Sequence, residues 1–390
     1  MKVPLFDMTR QYGKIKQEVL QTLDGIFSQG HVILGENVTM LEKEIQQYLH
    51  CEHAVGVANG SDALLLAVHS LDLKQGDMVI TTPYTFFATV SSITRNGALP
   101  VFADVTEKYY NIDLDMVEDI LTTHPQKDRI KAFIPVHLFG KTLDLKRLEA
   151  IKEKYGIKII EDNAQAIGSV WHDRQIGKKF AGTVGDMGTI SFFPTKNLGA
   201  YGDAGMVITN DEKLAQRVKK LRVHGAAKRY YHDEIGYNSR IDEVQAAILR
   251  IKLKYLDSWI EKRLNIANNY QKLFQESGLD EFIVYPEYFA DRSHVYHQYV
   301  ITLKGSSDKN HLLRDRLAEY LQEKEIGTSV YYPRSLHMQK CFDYLGCSEG
   351  QFPVSERACE KTLALPIFPE LTVEEQEYVV KNIKDFFKGI

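Results

Sequence analysis

The chain has 390 residues, 44% hydrophobic and 26% charged, and its 48 Lys and Arg against 52 Asp and Glu leave a formal net charge of −4. That length exceeds one ordinary hydrophobic core and implies a large domain plus a smaller one. The near-balance of charge excludes a general nucleic-acid binder, since no domain-wide excess of cations exists to neutralise phosphates, and the composition excludes a disordered or fibrous chain.

Residues 1–7 lack the apolar core of a signal peptide, and no apolar run is long enough to span a bilayer. A cytoplasmic protein without membrane contact is therefore expected. Two helical segments follow, about 10–29 and 38–49, divided by a turn region at 30–35 and placed to wrap the main domain or to join a partner subunit. From about residue 52 to 220, strand-like and helix-like patterns alternate. Strands are expected at 53–58, 78–81, 99–103, 129–135 and 157–161. Helices are expected at 61–71, 85–96, 113–122 and 144–155. Strands spaced by helices of this length imply βαβ units and a largely parallel sheet covered on both faces.

Several segments in this stretch carry chemistry. In Ala58-Asn59-Gly60-Ser61-Asp62-Ala63-Leu64 a strand meets a helix across Gly60. The first helical N–H groups and the Ser61 hydroxyl then suit a phosphate, although a plain helix cap reads the same way. Pro83-Tyr84-Thr85-Phe86-Phe87-Ala88-Thr89 is a second strand-to-helix turn, able to lay an aromatic face on a flat ring or simply to fill core. In Gly140-Lys141-Thr142 the ending of a P-loop occurs, but Pro135 stands where its leading glycine belongs.

Ile159-Ile160-Glu161-Asp162-Asn163-Ala164-Gln165-Ala166 puts Asp162 just past an apolar strand, at the sheet edge where α/β folds place ligands. A carboxylate there can hold a proton on a heterocyclic nitrogen, or it can cap a helix. Gln165 is three residues on. Thr189-Ile190-Ser191-Phe192-Phe193-Pro194-Thr195-Lys196-Asn197-Leu198-Gly199 ends an apolar strand in a turn that presents one lysine. Burial or a neighbouring cation would lower that amine toward nucleophilic use, and a solvated loop lysine is the alternative. Gly199, Gly202 and Gly205 are spaced by three, so no dinucleotide fingerprint is present, and no G-x-S-x-G elbow occurs.

His224-Gly225-Ala226-Ala227-Lys228-Arg229-Tyr230-Tyr231 mixes cations and aromatics. It can grip a nucleotide diphosphate and base, or it is a solvated helix end. From Ile241 a long helix is expected to about Phe274, on Val244, Ile248, Ile251, Leu256, Ile260 and Leu264. Beyond it, strands at 296–303 and 327–331 and helices at 309–324 and 372–387 form a compact α+β unit. The expected division is 1–250 for the large α/β domain with its N-terminal helices, and 251–390 for the connecting helix and small domain. Cys51, Cys341, Cys347 and Cys359 stand apart without ligand-spaced partners, which predicts reduced, mostly buried thiols and no metal site.

In combination these segments resemble the nucleotide-sugar aminotransferases of fold type I, the DegT/StrS group, enzymes that use pyridoxal 5′-phosphate. The motifs stand in family order: 59–64, 83–89, 161–166, 191–205 and Tyr237-Asn238-Ser239-Arg240-Ile241-Asp242. The resemblance implies a mostly parallel seven-stranded sheet between helices, with a smaller C-terminal α+β domain. It implies that Lys196 binds the cofactor and moves protons, that Asp162 faces the pyridine nitrogen, and that Gln165 lies near the ring hydroxyl. By the same resemblance Phe86 stacks on the ring, and Gly60, Ser61 and Ser191 hold the phosphate. Asn238 would reach the phosphate of a neighbouring subunit with Arg240 on the substrate side, which implies a homodimer with shared active sites.

Lys196 stands where some members carry histidine and become dehydratases, which favours transamination. The segment 193–203 and Val330-Tyr331-Tyr332-Pro333-Arg334-Ser335-Leu336-His337 are similar to the branch acting at sugar C3. The expected reaction is transfer from L-glutamate to a dTDP-linked 3-keto-6-deoxyhexose, as in deoxysugar biosynthesis, with Lys228, Arg229, Tyr230 and His337 as further substrate contacts. The alternatives are a 4-keto sugar, a UDP-linked 3-keto sugar, or a non-catalytic regulatory protein that keeps the fold.

Overall fold

The computed structural model describes residues 1–174, 176–305 and 312–389. In chain order the first elements are α1 (Met8–Gln29), α2 (Glu36–Leu49), β1 (His53–Val57), α3 (Gly60–His69), β2 (Met78–Thr81), α4 (Phe87–Arg95) and β3 (Leu99–Phe102). They are followed by α5 (Leu114–Thr123), β4 (Ile130–Phe133), α6 (Leu145–Tyr155), β5 (Lys158–Asp162), the hairpin β6 (Val170–Asp173) and β7 (Gly177–Phe180), β8 (Met187–Ser191), β9 (Gly205–Thr209) and α7 (Glu212–Leu221). A second hairpin, β10 (Ala226–Lys228) and β11 (Tyr231–His232), precedes α8 (Glu243–Leu253) and α9 (Leu256–Ser277). The C-terminal part holds β12 (Ile283–Val284), β13 (Tyr299–Leu303), α10 (Leu313–Glu323), α11 (Pro353–Lys361), β14 (Thr362–Leu365) and α12 (Val373–Lys388).

Seven strands form the main sheet in the order β1-β9-β8-β5-β4-β2-β3. All run parallel except β9, which lies antiparallel between β1 and β8. The fold is thus α/β with a mostly parallel sheet, as expected. Period-2 alternation sends side chains to both faces, and both are covered. Val79 and Ile160 pack toward α3, α4 and α7, whereas Met78, Ile80 and Ile159 pack toward α5 and α6. Ile190, Met206 and Ile208 meet α2 and α8 in the largest core, which continues through α9 into α12. Side-chain caps start the helices: Asn59 for α3, Asp113 for α5, Asp144 for α6 and Asp211 for α7. The α2 start has no cap of its own. Glu243 of α8 accepts the Asn37 and Val38 amides at 2.6 and 3.2 Å instead, tying the two helices.

The sequence reading needs four corrections here. The long helix expected to run to Phe274 is two, α8 and α9, parted by a turn at Lys254 and Tyr255. The apolar spacing continues through the turn, so the pattern reads as unbroken. No strand forms at 327–331. The Gly327 N–H bonds Val3 O at 2.8 Å, and only Ser329 bridges Ala364, because the chain's first residues occupy that edge. The helix expected at 309–324 is described as Leu313–Glu323, and residues 309–311 lie outside the described residues. All four cysteines are free, but only Cys51 and Cys359 are buried. Cys341 is exposed. No helix among the described residues is long and apolar enough to cross a membrane.

Candidate active site

Parallel strands bring their carboxyl ends to one edge, and the segments that leave β1, β2, β5 and β8 there enclose a cavity of about 630 Å³. Asn59, Gly60, Ser61, Phe86, Asp162, Gln165, Ser191 and Lys196 all line it. Residues separated by as many as 137 positions in the chain (59 to 196) therefore share one wall.

At the β1–α3 junction the Asn59 side chain accepts the Asp62 N–H at 2.8 Å and its carbonyl takes Ala63 N–H at 3.0 Å. The amides of Gly60 and Ser61 are left at the helix mouth, where the partial positive charge of α3 favours an anion. A Cβ on Gly60 would stand 2.5 Å from the Ser191 Cβ, so only glycine lets β8 approach this closely.

Asp162 ends β5. Its Oδ2 accepts from the Thr89 hydroxyl at 2.8 Å and its Oδ1 from the Ala164 N–H at 3.2 Å, and the residue is buried. Burial raises its pKa; the Thr89 and Ala164 bonds and the charge of Lys196 pull the other way without overcoming it. Lys196 follows β8 through the Phe193–Pro194–Thr195 turn, its N–H bonded to Phe193 O at 2.8 Å. Burial lowers its amine to about 8, against the opposing pull of Asp162. An amine and a carboxylate thus stand in one electrostatic pair at the sheet edge, each displaced toward neutrality by desolvation.

The neighbouring Glu161 serves the scaffold. Its carboxylate accepts the Gly182, Val184 and Gly185 amides at 2.9, 2.8 and 2.7 Å, and His137 Nε2 at 2.7 Å. Because His137 Nδ1 accepts the Leu143 N–H at 3.1 Å, the proton sits on Nε2 and is donated to Glu161. Burial works against the charge of Glu161, but these bonds win and hold its pKa below the usual range.

The flat faces come from Phe86, 59% exposed at the start of α4, and Phe193, 50% exposed beside the lysine turn. Gln165 lines the cavity with its amide already engaged: Oε1 accepts the Phe139 N–H at 2.6 Å and Nε2 donates to the Tyr332 hydroxyl at 2.9 Å. The C-terminal part closes the far wall with His297, Gln298, Tyr331 and Tyr332. Arg263 of α9 holds that wall by donating to Tyr296 O and Ile367 O at 3.0 and 3.1 Å. Sequence reasoning assigned no role to Thr89, Phe193, His297 or Gln298. Thr89 carried a faint signal, a hydroxyl one helical turn after Phe86.

Other residues stand apart from this cavity. His337 is buried, with Nδ1 at 2.8 Å from Ser335 Oγ and Nε2 at 3.0 Å from Glu356, and its ring packs on Phe352. Both nitrogens are committed, so the substrate contact expected of His337 is corrected to a structural role. Asn238 and Arg240 lie outside the cavity wall of their own chain, Asn238 exposed and Arg240 half-buried. Lys228, Arg229 and Tyr230 form the exposed tip of the β10–β11 hairpin, with Lys228 over the Tyr231 ring and Arg229 over that of Tyr230.

The chain is similar to known proteins along most of its length. The DegT/DnrJ/EryC1/StrS aminotransferase family matches residues 13–384. Similar curated proteins include a pleiotropic regulatory protein of Geobacillus stearothermophilus, 44% identical over 100% of this chain and 99% of that one. A UDP-N-acetyl-3-dehydro-alpha-D-glucosamine 3-aminotransferase of Acidithiobacillus ferrooxidans is 38% identical over 99% and 98%. A dTDP-3-amino-3,4,6-trideoxy-alpha-D-glucose transaminase of Micromonospora megalomicea is 35% identical over 97% of each chain. Among solved structures, an aminotransferase of the same family from Brucella abortus superposes with a TM-score of 0.89, 33% identity and 99% coverage of both chains. The ntda protein of Bacillus subtilis, solved with bound cofactor PMP, superposes with a TM-score of 0.87 at 30% identity, covering 99% of this chain and 85% of that one.

Proposed function

The chain belongs to the DegT/DnrJ/EryC1/StrS aminotransferase family and is a pyridoxal-phosphate-dependent sugar aminotransferase; from that premise we propose that it moves an amino group from L-glutamate to C3 of a dTDP-linked 3-keto-6-deoxyhexose. The observation that carries the reading is the meeting of the Lys196 amine, the Asp162 carboxylate and the amide-rich start of α3 on one cavity. The residues present fit the cofactor. A buried carboxylate with two donors suits a pyridinium N–H, an open helix start suits a phosphate, and an exposed phenyl ring suits a flat heterocycle.

When bound, pyridoxal phosphate supplies a protonated conjugated ring that accepts the electron pair released as a Cα–H bond breaks. Asp162 keeps the proton on the ring nitrogen, and Thr89 and the Ala164 amide fix the carboxylate's direction. Gly60, Ser61 and Ser191 bind the phosphate, and Phe86 covers one ring face. Lys196 would take the Cα proton from glutamate, which would leave as its keto acid with its new oxygen drawn from water. The same amine would return a proton at sugar C3 as the nitrogen arrives there and the carbonyl oxygen leaves as water. Gln165, held by Phe139 and Tyr332, fixes the ring's hydroxyl side.

A free amine at about 8 makes cofactor uptake pH-dependent. Uptake needs the neutral amine, so the rate at which cofactor-stripped protein takes up pyridoxal phosphate is expected to rise about tenfold per pH unit below 8 and to level above it. Stopped-flow absorbance measures this. A rate still climbing at pH 10 points to an unperturbed amine and contradicts the assignment.

A second subunit completes the proposed site. Asn238 and Arg240 do not line the cavity of their own chain, and Leu20, Phe27, Val32, Ile33 and Leu34 leave apolar surface exposed near the end of α1. In a homodimer Asn238 reaches the partner's phosphate, and the β10–β11 tip reaches its nucleotide. Replacing Lys228 and Arg229 together by alanine is expected to raise KM for the sugar nucleotide about tenfold or more with little change in kcat, because charged hydrogen bonds to phosphate each contribute about 1.5–3 kcal/mol. An unchanged KM removes these residues from the substrate site.

The test of the reaction itself is a screen of dTDP- and UDP-linked 3-keto and 4-keto sugars with glutamate, with the aminated product identified by mass spectrometry. A 3-amino dTDP-sugar is the expected product. The Acidithiobacillus relative favours a second reading, a UDP-linked 3-keto sugar, which the same screen separates. The Geobacillus relative favours a regulatory reading; there glutamate would leave the cofactor's visible absorbance unchanged, whereas an aminotransferase loses it.

A further inference from the structure

We propose that helix α8, through Lys252 and Gln245, is the positioning element for Lys196, gripping from beneath the loop that presents the amine. The inference rests on the reading that Lys196 holds the cofactor.

Lys252 is 1% exposed, and its Nζ donates to the Gly199 carbonyl at 2.6 Å, three residues past Lys196. The ammonium also sits 3.8 Å from the centre of the Tyr201 ring. No carboxylate among the described residues forms an ion pair with it. A methionine or leucine would fill the same space with no charge to desolvate, so packing does not explain a lysine here. Two turns earlier on the same helix, Gln245 Oε1 accepts the Tyr201 N–H at 2.9 Å and its Nε2 donates to Tyr201 O at 3.3 Å. One rigid helix thus holds three backbone groups of a short loop.

The loop transmits that grip because it is folded tightly on itself. Lys196 N–H bonds Phe193 O and Ala200 N–H bonds Phe192 O, both at 2.8 Å. A Cβ on Gly199 would lie 2.4 Å from the Pro194 carbonyl oxygen, which leaves no room for slippage between the two ends of the turn. A shift at Gly199 is therefore passed to the backbone of Lys196. Burial lowers Lys252 to about 7, and the amine can donate to the Gly199 carbonyl in its charged or its neutral form, so the grip does not depend on the charge.

The Gly60 and Ser61 amides belong to the start of α3, whereas α8 bonds the loop at Gly199 and Tyr201, so docking of the cofactor phosphate and its covalent capture are expected to respond differently to a change in α8. The experiment strips the protein of cofactor, mixes it with increasing pyridoxal phosphate, fixes the product with borohydride and locates the label by mass spectrometry. Wild-type protein is expected to label at Lys196 with a saturable rate. Lys252→Met is expected to lower the limiting rate at least about tenfold, because small misplacements of a reacting group carry large rate penalties, with half-saturation within about twofold of wild type. Lys254→Met, an exposed neighbour paired with Glu18 at 2.8 Å, is expected to match wild type. If Lys252→Met does not fold, Gln245→Met decides by the same two numbers. A limiting rate within twofold of wild type in a folded variant, or a loss that appears only in half-saturation, overturns the inference. Wild-type protein that takes no label on Lys196 overturns the assignment of that lysine, and the inference falls with it.

Discussion

Lys196→Ala is expected to abolish amino transfer, by on the order of 10⁴-fold or more, because one side chain serves both as the covalent attachment and as the proton carrier. Its visible cofactor absorbance is expected to vanish as well. The fold should be untouched. Among the described residues the Lys196 side chain has no hydrogen-bond partner, and burial pulls its amine down to about 8. The sign of its contribution to stability follows from that shift. A folded-state value below the unfolded one means that the amine costs stability from the unfolded value of about 10.4 downward, with the full cost reached below about 8 and so present at neutrality. Cofactor-free Lys196→Ala should therefore melt no lower than cofactor-free wild type. Differential scanning calorimetry and a glutamate-dependent assay on the same preparation test both halves. Full turnover in the alanine variant would end the mechanism, and a collapse in melting temperature would show that the lysine holds structure.

Much of this site is legible in the sequence. Asp162 and Lys196 each follow an apolar strand into a polar turn, and in a parallel sheet all such turns emerge on one edge, so topology alone brings them together. Gly60 was readable for the same reason. The parts that were not readable depend on contacts distant in sequence. The substrate contact expected of His337 could not be weighed locally, because its partner Glu356 lies 19 residues away, in α11. Gln298 and His297 sit more than 100 residues past Lys196 on a segment with no motif, and only the docking of the C-terminal part puts them on the cavity wall. Lys252 stands on a helix patterned by its apolar positions, and nothing local reveals that its amine bonds Gly199. The strand expected at 327–331 failed similarly, since Val3, from the opposite end of the chain, claims its hydrogen bonds.

Asp162→Asn is expected to uncouple stability from chemistry. The substitution keeps shape, and the Ala164 N–H and Thr89 hydroxyl retain partners on the amide, but no carboxylate remains to hold a proton on the ring nitrogen. Turnover should fall by about 10³-fold, the loss seen when one preorganised electrostatic contact is removed from a reacting centre. Stability should move the opposite way. Burial raises the Asp162 pKa in the folded protein, so folding favours the protonated carboxyl. Stability is then lost as pH climbs from the unfolded value through the folded one, and at neutral pH, above the unfolded value, Asp162 is a net cost to the fold. The cofactor-free asparagine variant should melt above cofactor-free wild type at pH 7, with the gap closing toward pH 4. Adding pyridoxal phosphate should reverse the order, because wild type gains more from binding. One further consequence ties the two residues. Asp162 raises the Lys196 amine, so in its absence the amine is neutral at lower pH, and the plateau of cofactor uptake should move below 8 even as turnover disappears. A variant that keeps both its turnover and an uptake plateau at about 8 would place Asp162 in the scaffold and not on the ring.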